Sequence, residues 1–191
     1  EELEEKTVGH NDHVIIIGYG ISGQLLTSSL RTLSIETVVL EMNSDNVALG
    51  KERGDPVYYA DATSQEALGH AHLESCRAVV VMINDHAASE RVLASIKRLP
   101  GEIPVFVRTQ YMTGIEDFKK FNPEGVVSCE VEGGLEVLSQ VLRKLEVPRN
   151  VIMREIDHAR SQTMQSDRKF KEDPLSLHQH KELKNLVVEN I

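Results

Sequence analysis

Two cysteines, Cys76 and Cys129, are all that this 191-residue chain contains, and they lie far apart with no CxxC. That excludes a disulfide framework and a cysteine-built zinc cassette, and it suits a reducing compartment. No run of about 18 apolar residues occurs, so no stretch reads as a membrane-spanning helix. Positive charge is also short: 21 Lys and Arg against 30 Asp and Glu leave a formal net charge of −9. Nonspecific binding to nucleic acid needs the opposite balance to neutralise phosphates, so no nucleic-acid partner is expected. Catalytic signatures are missing as well. There is no G-x-S-x-G, H-E-x-x-H or G-x-x-x-x-G-K-[ST], and Tyr58, Tyr59 and Tyr111 lack the Lys four residues on that a short-chain reductase uses. The pairs His70/His72 and His178/His180 have no Cys or acidic companion at ligand spacing, so neither is expected to hold a metal.

What remains is an ordinary globular composition, 40% hydrophobic and 27% charged, in a length that suits one domain with an appendage. The chain opens on Glu1 rather than Met and is taken as a piece of something longer. Residues 1–12 are acidic and polar and are expected to be a connector. Residues 13–148 hold every strong apolar run. Residues 149–191 are polar, are interrupted by Pro174, and are expected to be a helical or disordered extension.

Within the core region, β-branched runs at 13–17, 37–41, 57–60, 78–83, 105–108 and 126–128 predict strands. Amphipathic stretches at 20–33, 43–53, 65–70, 87–99, 113–121 and 132–145 predict the helices between and after them. Runs such as VIIIG and AVVVMI have no polar face, which suits parallel strands covered by helices on both sides. The expectation is an α/β fold: a Rossmann-like, doubly wound, parallel six-stranded sheet in the order 3-2-1-4-5-6, with a C-terminal helical extension.

The strongest motif is HVIIIGYGISGQLL, a full G-x-G-x-x-G at Gly18, Gly20 and Gly23. Such a loop needs a tight turn at the first glycine, close approach of phosphate at the second, and tight helix–strand packing at the third. A helix opening near Gly20 would aim free N–H groups and its positive dipole end at an anion. The next strand, SIETVVLE, ends at Glu41, 18 residues beyond Gly23, where an acid accepts hydrogen bonds from a ribose diol. No Lys or Arg follows Glu41 until Lys51, so a nucleotide with a free ribose diol is favoured over a 2′-phosphorylated one.

Other predicted strand ends add candidates on the edge where open α/β sheets bind ligands. Asp61, Ala62 and Thr63 end the third strand. Asp61 either meets a base or simply terminates the strand, and Thr63 is expected to cap the following helix. Asn84, after the fourth strand, either lines the phosphate side of the cleft or caps a helix. Arg108, at the end of the fifth, offers a forked cation to phosphate or carboxylate, or else makes a surface ion pair. Cys76 and Cys129 are most simply small apolar packers.

GYGISGQLL, VVLE, VYYADAT, AVVVMINDHAASE and VFVRTQ, in that order, resemble the RCK or TrkA-N (KTN) domain that regulates potassium channels and transporters. SCEVEGGLEVLSQVLRKLEVPRNVI resembles the helix and Val-Pro exit in cytosolic domains of potassium/proton antiporters of the glutathione-gated efflux type. The resemblance implies a nucleotide-binding module at the cytoplasmic face of a membrane, homodimeric by exchange of the helix after the fifth strand, that controls a membrane-embedded cation transport domain. AMP or NAD(H) is the implied ligand, with ADP or ATP as further options. Carried across by motif, Gly18, Tyr19, Gly20, Ile21, Ser22 and Gly23 take the phosphate, and Glu41 the ribose. Asp61 and Ala62 face the adenine, Asn84 and Arg108 close the pocket, and Met42 and Thr63 are counted with them as ligand-binding candidates. Ile21 departs from the Arg that many relatives carry after the second glycine, which favours AMP or NAD(H) over ATP; no full glutathione-binding set is visible. The competing readings are a nicotinamide-dependent oxidoreductase that has lost its substrate domain and a free-standing regulatory subunit docking onto a separate transporter.

Overall fold

The computed structural model describes residues 11–172 apart from Pro100, with side chains described through Gln162. The alternation predicted from the apolar runs is present: β1 (Val14–Ile17), α1 (Ile21–Thr32), β2 (Thr37–Glu41), α2 (Ser44–Glu52), β3 (Val57–Tyr59), α3 (Gln65–His70), β4 (Ala78–Val81), α4 (His86–Lys97), β5 (Val105–Thr109), α5 (Gly114–Lys119), β6 (Gly125–Ser128) and α6 (Cys129–Lys144), followed by α7 (Arg149–Glu172). All six strands are parallel, in the order β3-β2-β1-β4-β5-β6.

The unbroken apolar strands follow from the register. Ile15 stands beside Val38 and Val79, and Ile16 beside Val39 and Val80. Successive residues point to opposite faces, and each face has its own core. Ile15, Ile17, Leu40 and Val81 pack with Val92, Leu93 and Ile96 of α4 and Phe118 of α5. Val14, Ile16, Val39 and Val57 pack on the other face with Val47 of α2 and Leu26 and Leu30 of α1. A polar residue in β1 would therefore be buried whichever way it pointed.

The sheet order places β1 at the reversal. The chain runs outward from β1 to β3, then returns through α3 to β4 on the other side of β1. The first turns of α1 and α4 therefore diverge above the β1/β4 pair and leave a crevice there. Strand β4 stops at Val81, short of the predicted 83. Met82 still donates to the Ile17 carbonyl at 2.8 Å, but Ile83 and Asn84 turn away into the crevice wall.

The chain divides into two compact units between Glu130 and Val131, within α6. The first contains the whole sheet. In the second, Arg160 forks onto Glu132 with contacts of 2.9 and 2.8 Å, and this pairing holds the Glu132 carboxyl below its ordinary value. Leu135 and Ile152 are buried there. Most of the predicted connector, and the tail beyond Glu172 with Pro174, His178 and His180, lie outside the described residues.

Ile16 is fully buried in the central strand. Ile16→Ala should cost about 2–5 kcal/mol through lost burial and the cavity left behind, read as a lowered midpoint in urea denaturation.

Candidate functional site

The three glycines do three different things. Gly18 ends β1 at φ +104°, a conformation that side-chain-bearing residues rarely adopt, and its N–H donates to the Leu40 carbonyl at 2.8 Å. A Cβ on Gly23 would lie 2.1 Å from the Gly18 carbonyl oxygen, so α1 closes on the strand only because that atom is missing. Gly20 differs from both. It caps α1 with ordinary backbone angles and no side-chain cap, and a Cβ there would meet nothing within 4 Å. Nothing inside the protein requires glycine at that point; the space left open belongs to whatever approaches the helix end. The first turn of α1 also carries no acidic residue, leaving its N-terminal amides and positive dipole end uncompensated.

Glu41 is drawn to this turn by strand register. Ile17 pairs with Leu40, so Glu41 at the end of β2 stands beside the turn that follows β1. One Glu41 oxygen accepts from the Tyr19 N–H at 2.6 Å and from the Asn46 side-chain amide at 3.3 Å. The other accepts from the Met42 and Asn43 N–H groups, both at 2.7 Å. Asn43 in turn caps α2, accepting from the amides of Asp45 and Asn46. The carboxylate thus joins the glycine turn to the β2–α2 turn.

Above the carboxyl ends of β1 to β4 lies a cleft of about 340 Å³. Of the residues expected at a site, Gly18, Gly20, Glu41, Met42, Asp61, Ala62, Thr63 and Asn84 line it together. Asp61 uses one oxygen to accept from the Thr63 N–H and hydroxyl, at 2.9 and 2.7 Å. Thr63 is spent on that contact and does not cap α3; Ser64 does. Asn84 is likewise not a cap, because Asp85 holds the start of α4 through the Ala88 N–H at 2.6 Å.

Five expected residues do not line the cleft. Gly23 is behind the turn. Ser22 and Ile21 lie on the first turn of α1, with Ile21 89% exposed. Tyr19 contributes only its backbone: its ring is fully buried in the core on the α1/α2 face, and its hydroxyl donates to Asp55, which also pairs with Arg31 at 2.5 Å. Arg108 faces a neighbouring cavity of about 160 Å³ that shares Ile83 and Asn84 with the cleft. It donates there to Asn84, to Gln110 and to Cys129 Sγ, all neutral acceptors, so among the described residues it makes no surface ion pair. Cys129 is therefore a hydrogen-bond acceptor and not simply an apolar packer. Cys76 packs against the core on the α4/α5 face, and burial pushes its thiol up to about 11.

Sequence reasoning missed Asn46, Ala88, Arg91 and Val92 in the cleft wall. Asn46 lies in the first turn of α2, five residues after Glu41. Ala88, Arg91 and Val92 share one face of α4, a pattern present in the sequence but pointing to no particular neighbour. Among the described residues, no group of three or more His, Cys, Asp or Glu side chains is placed to hold a metal ion.

The TrkA-N domain matches this sequence over residues 14–128, from β1 through β6. The chain belongs to the TrkA-N domain family. Similar proteins include the chloroplastic K(+) efflux antiporter 2 of Arabidopsis thaliana, 28% identical across 83% of this chain and 14% of the relative. A putative K(+) efflux antiporter KefB of Alkalimonas amylolytica is 26% identical across 94% of this chain and 28% of the relative. The chain thus spans between a seventh and a little over a quarter of these antiporters. The TrkA-N domain of the inner membrane protein ybaL from Escherichia coli superposes with a TM-score of 0.64 at 25% identity, covering 69% of this chain and 98% of that one. The AMP-bound Kef C-terminal domain of Shewanella denitrificans reaches 0.71 at 16% identity over 83% and 97% of the two chains. The GsuK channel bound to NAD reaches 0.60 at 17% over 70% and 23%. These last two attest the fold of this TrkA-N domain.

Two outcomes follow for the TrkA-N turn. Gly23→Ala forces a clash and should destabilise by about 1–3 kcal/mol or more, whereas Gly20→Ala should cost no more than about 1 kcal/mol as a poorer cap; thermal melts of the two variants check this. Burial, with Asp55 adding to it, raises the Tyr19 phenol above 10.0. A phenol raised on folding contributes stability that is whole below its unfolded value and is lost as pH rises through the folded one. Tyr19→Phe should therefore flatten the fall in stability above about pH 10, measured by urea midpoints across pH 9–11.

Proposed function

We propose that this TrkA-N domain is the nucleotide-sensing regulatory module of a potassium transport protein, an antiporter or channel, with AMP or NAD(H) as its ligand. The observation that carries the reading is the open space at Gly20: an uncapped helix end with no internal need for glycine, facing the same cleft as Glu41. A phosphate fits there, on the first-turn amides of α1 from Gly20 to Gly23, since the Gly18 and Tyr19 N–H groups already donate to Leu40 and Glu41. The ribose diol then reaches Glu41, and the base lies toward Asp61 and Ala62 against the small apolar surface of Ala60, Ala88 and Val92. The absence of a cation directly after Glu41 disfavours a 2′-phosphate. Relatives that are K(+) efflux antiporters, and neighbours of like fold bound to AMP or NAD, support this choice.

Among the described residues, the cleft lining contains no His, Cys, Lys, Tyr or Ser. Its polar groups are suited to holding a ligand, which supports a sensor over the competing nicotinamide oxidoreductase. In the proposed arrangement the domain works as a homodimer at the cytoplasmic face of the membrane, and residues 1–12 link it to the membrane-embedded cation transport domain. To move a gate from mostly shut to mostly open, the ligand must favour one state by about 5 kcal/mol.

Calorimetry with AMP and NADH tests this. The native chain should bind at least one of them, and Gly20→Ala should weaken that affinity by about tenfold or more, because the added methyl fills the phosphate approach. Absence of binding to either nucleotide, or turnover of NADH with a carbonyl substrate, would overturn the reading.

A further inference from the structure

The proposed phosphate site has helix amides and a dipole but no cation from its own turn, since Ile21 follows Gly20. The protein as a whole carries −9, and the two acidic side chains that line the cleft, Glu41 and Asp61, add local negative charge. A nucleotide phosphate entering this cleft meets a repulsive field unless a basic side chain offsets it. Arg108 was the expected one. It lines the neighbouring cavity and is already held by Asn84, Gln110 and Cys129.

Among the described residues, one basic side chain does line the cleft. Arg91 lines the same cleft as Gly18 and Gly20, and among the described residues no hydrogen bond or ion pair engages it. Of the other arginines of this unit, Arg31 is tied to Asp55, Arg53 to Gln24, and Arg77 to Asp12, while Arg98, also unengaged among the described residues, does not line the cleft. Arg91 stands in the second turn of α4, and helical side chains lean back toward the N-terminal end of their helix. For α4 that end, fixed by Asp85, borders the crevice beside the glycine turn. An arginine also presents a fork that suits phosphate oxygens.

We propose that Arg91 is the phosphate-binding cation of this cleft, supplying from α4 the charge that Ile21 does not supply from α1. This rests on the nucleotide reading above and extends it. The affinity for the 5′-phosphate is set across the crevice, from the β4 side, and not only at the glycine turn. Arg91 thereby gives the site a preference for a nucleotide over its nucleoside.

The test compares AMP with adenosine by calorimetry on the native chain and on Arg91→Gln, at low and at physiological salt. Arg91 is exposed, so the variant should melt at the native temperature without ligand. AMP affinity should fall roughly tenfold, as for loss of a charge-assisted contact, while adenosine affinity stays unchanged. The salt dependence of AMP binding should flatten, because one screened attraction is gone. Arg91→Lys should recover part of the loss. If AMP and adenosine weaken by the same factor, Arg91 acts on the base and the proposal fails. If AMP binds both proteins equally, Arg91 is a solvated surface residue and the proposal fails while the nucleotide site stands. If the native chain binds no AMP and no NADH, the nucleotide reading fails first and takes this assignment with it.

Discussion

The contact on which this site depends is a carboxylate gathering backbone amides. Glu41 accepts from the N–H groups of Tyr19, Met42 and Asn43 and from the side chain of Asn46. Those donors belong to two separate turns. Without an acceptor between them, three backbone N–H groups at the sheet edge would need other partners, at a cost of about 1–3 kcal/mol for each one buried and unpaired. The glycine turn is therefore held in place by the strand next to it as well as by its own sequence. The register Ile17 beside Leu40 makes that possible.

A second constraint is the double-sided burial of β1. Because both faces of the central strand are covered, α1 and α4 must lie on opposite sides of the sheet, and their first turns open away from each other. The crevice is a consequence of covering both faces with a chain that reverses direction at β1. Its walls inherit different characters. The α1 side offers backbone amides at a helix end, and the α4 side offers Ala88, Arg91 and Val92.

The fold was legible because parallel, doubly covered strands leave a pattern that few other arrangements produce: four or five apolar residues, a helix-length amphipathic stretch, then another apolar run. Gly18, Gly23 and Glu41 were legible because a positive φ, a close helix–strand contact and strand register dictate their residue types, and Gly20 was legible from the motif spacing alone. Side-chain direction was not legible. Tyr19 sits inside the loop motif, yet its ring turns into the core toward Asp55. Arg108 ends a strand on the correct edge, but β5 lies one strand beyond the crevice, and three neutral acceptors hold it there. Thr63 and Asn84 look like caps by composition; Ser64 and Asp85, each one residue later, are the caps because the strands end where they do. Arg91 carries no local mark at all, since helical spacing gives a face but not what the face meets.

The crowding of Glu41 bears on how a ligand could be felt beyond the cleft. A carboxylate offers about four acceptor positions, and protein donors already take four. A ribose hydroxyl that donates to Glu41, as in the proposed binding mode, must displace or share with one of them. The three backbone donors lie at 2.6–2.7 Å and the Asn46 amide at 3.3 Å, so Asn46 is the easiest to release. Asn46 belongs to α2, whose start is capped by Asn43 from the same turn. Occupancy would then be reported through the β2–α2 turn, while the glycine turn, fixed by the Gly18–Gly23 contact, stays where it is. Binding energy converts into movement only where a contact is exchanged, and here that place is the single side-chain donor on Glu41.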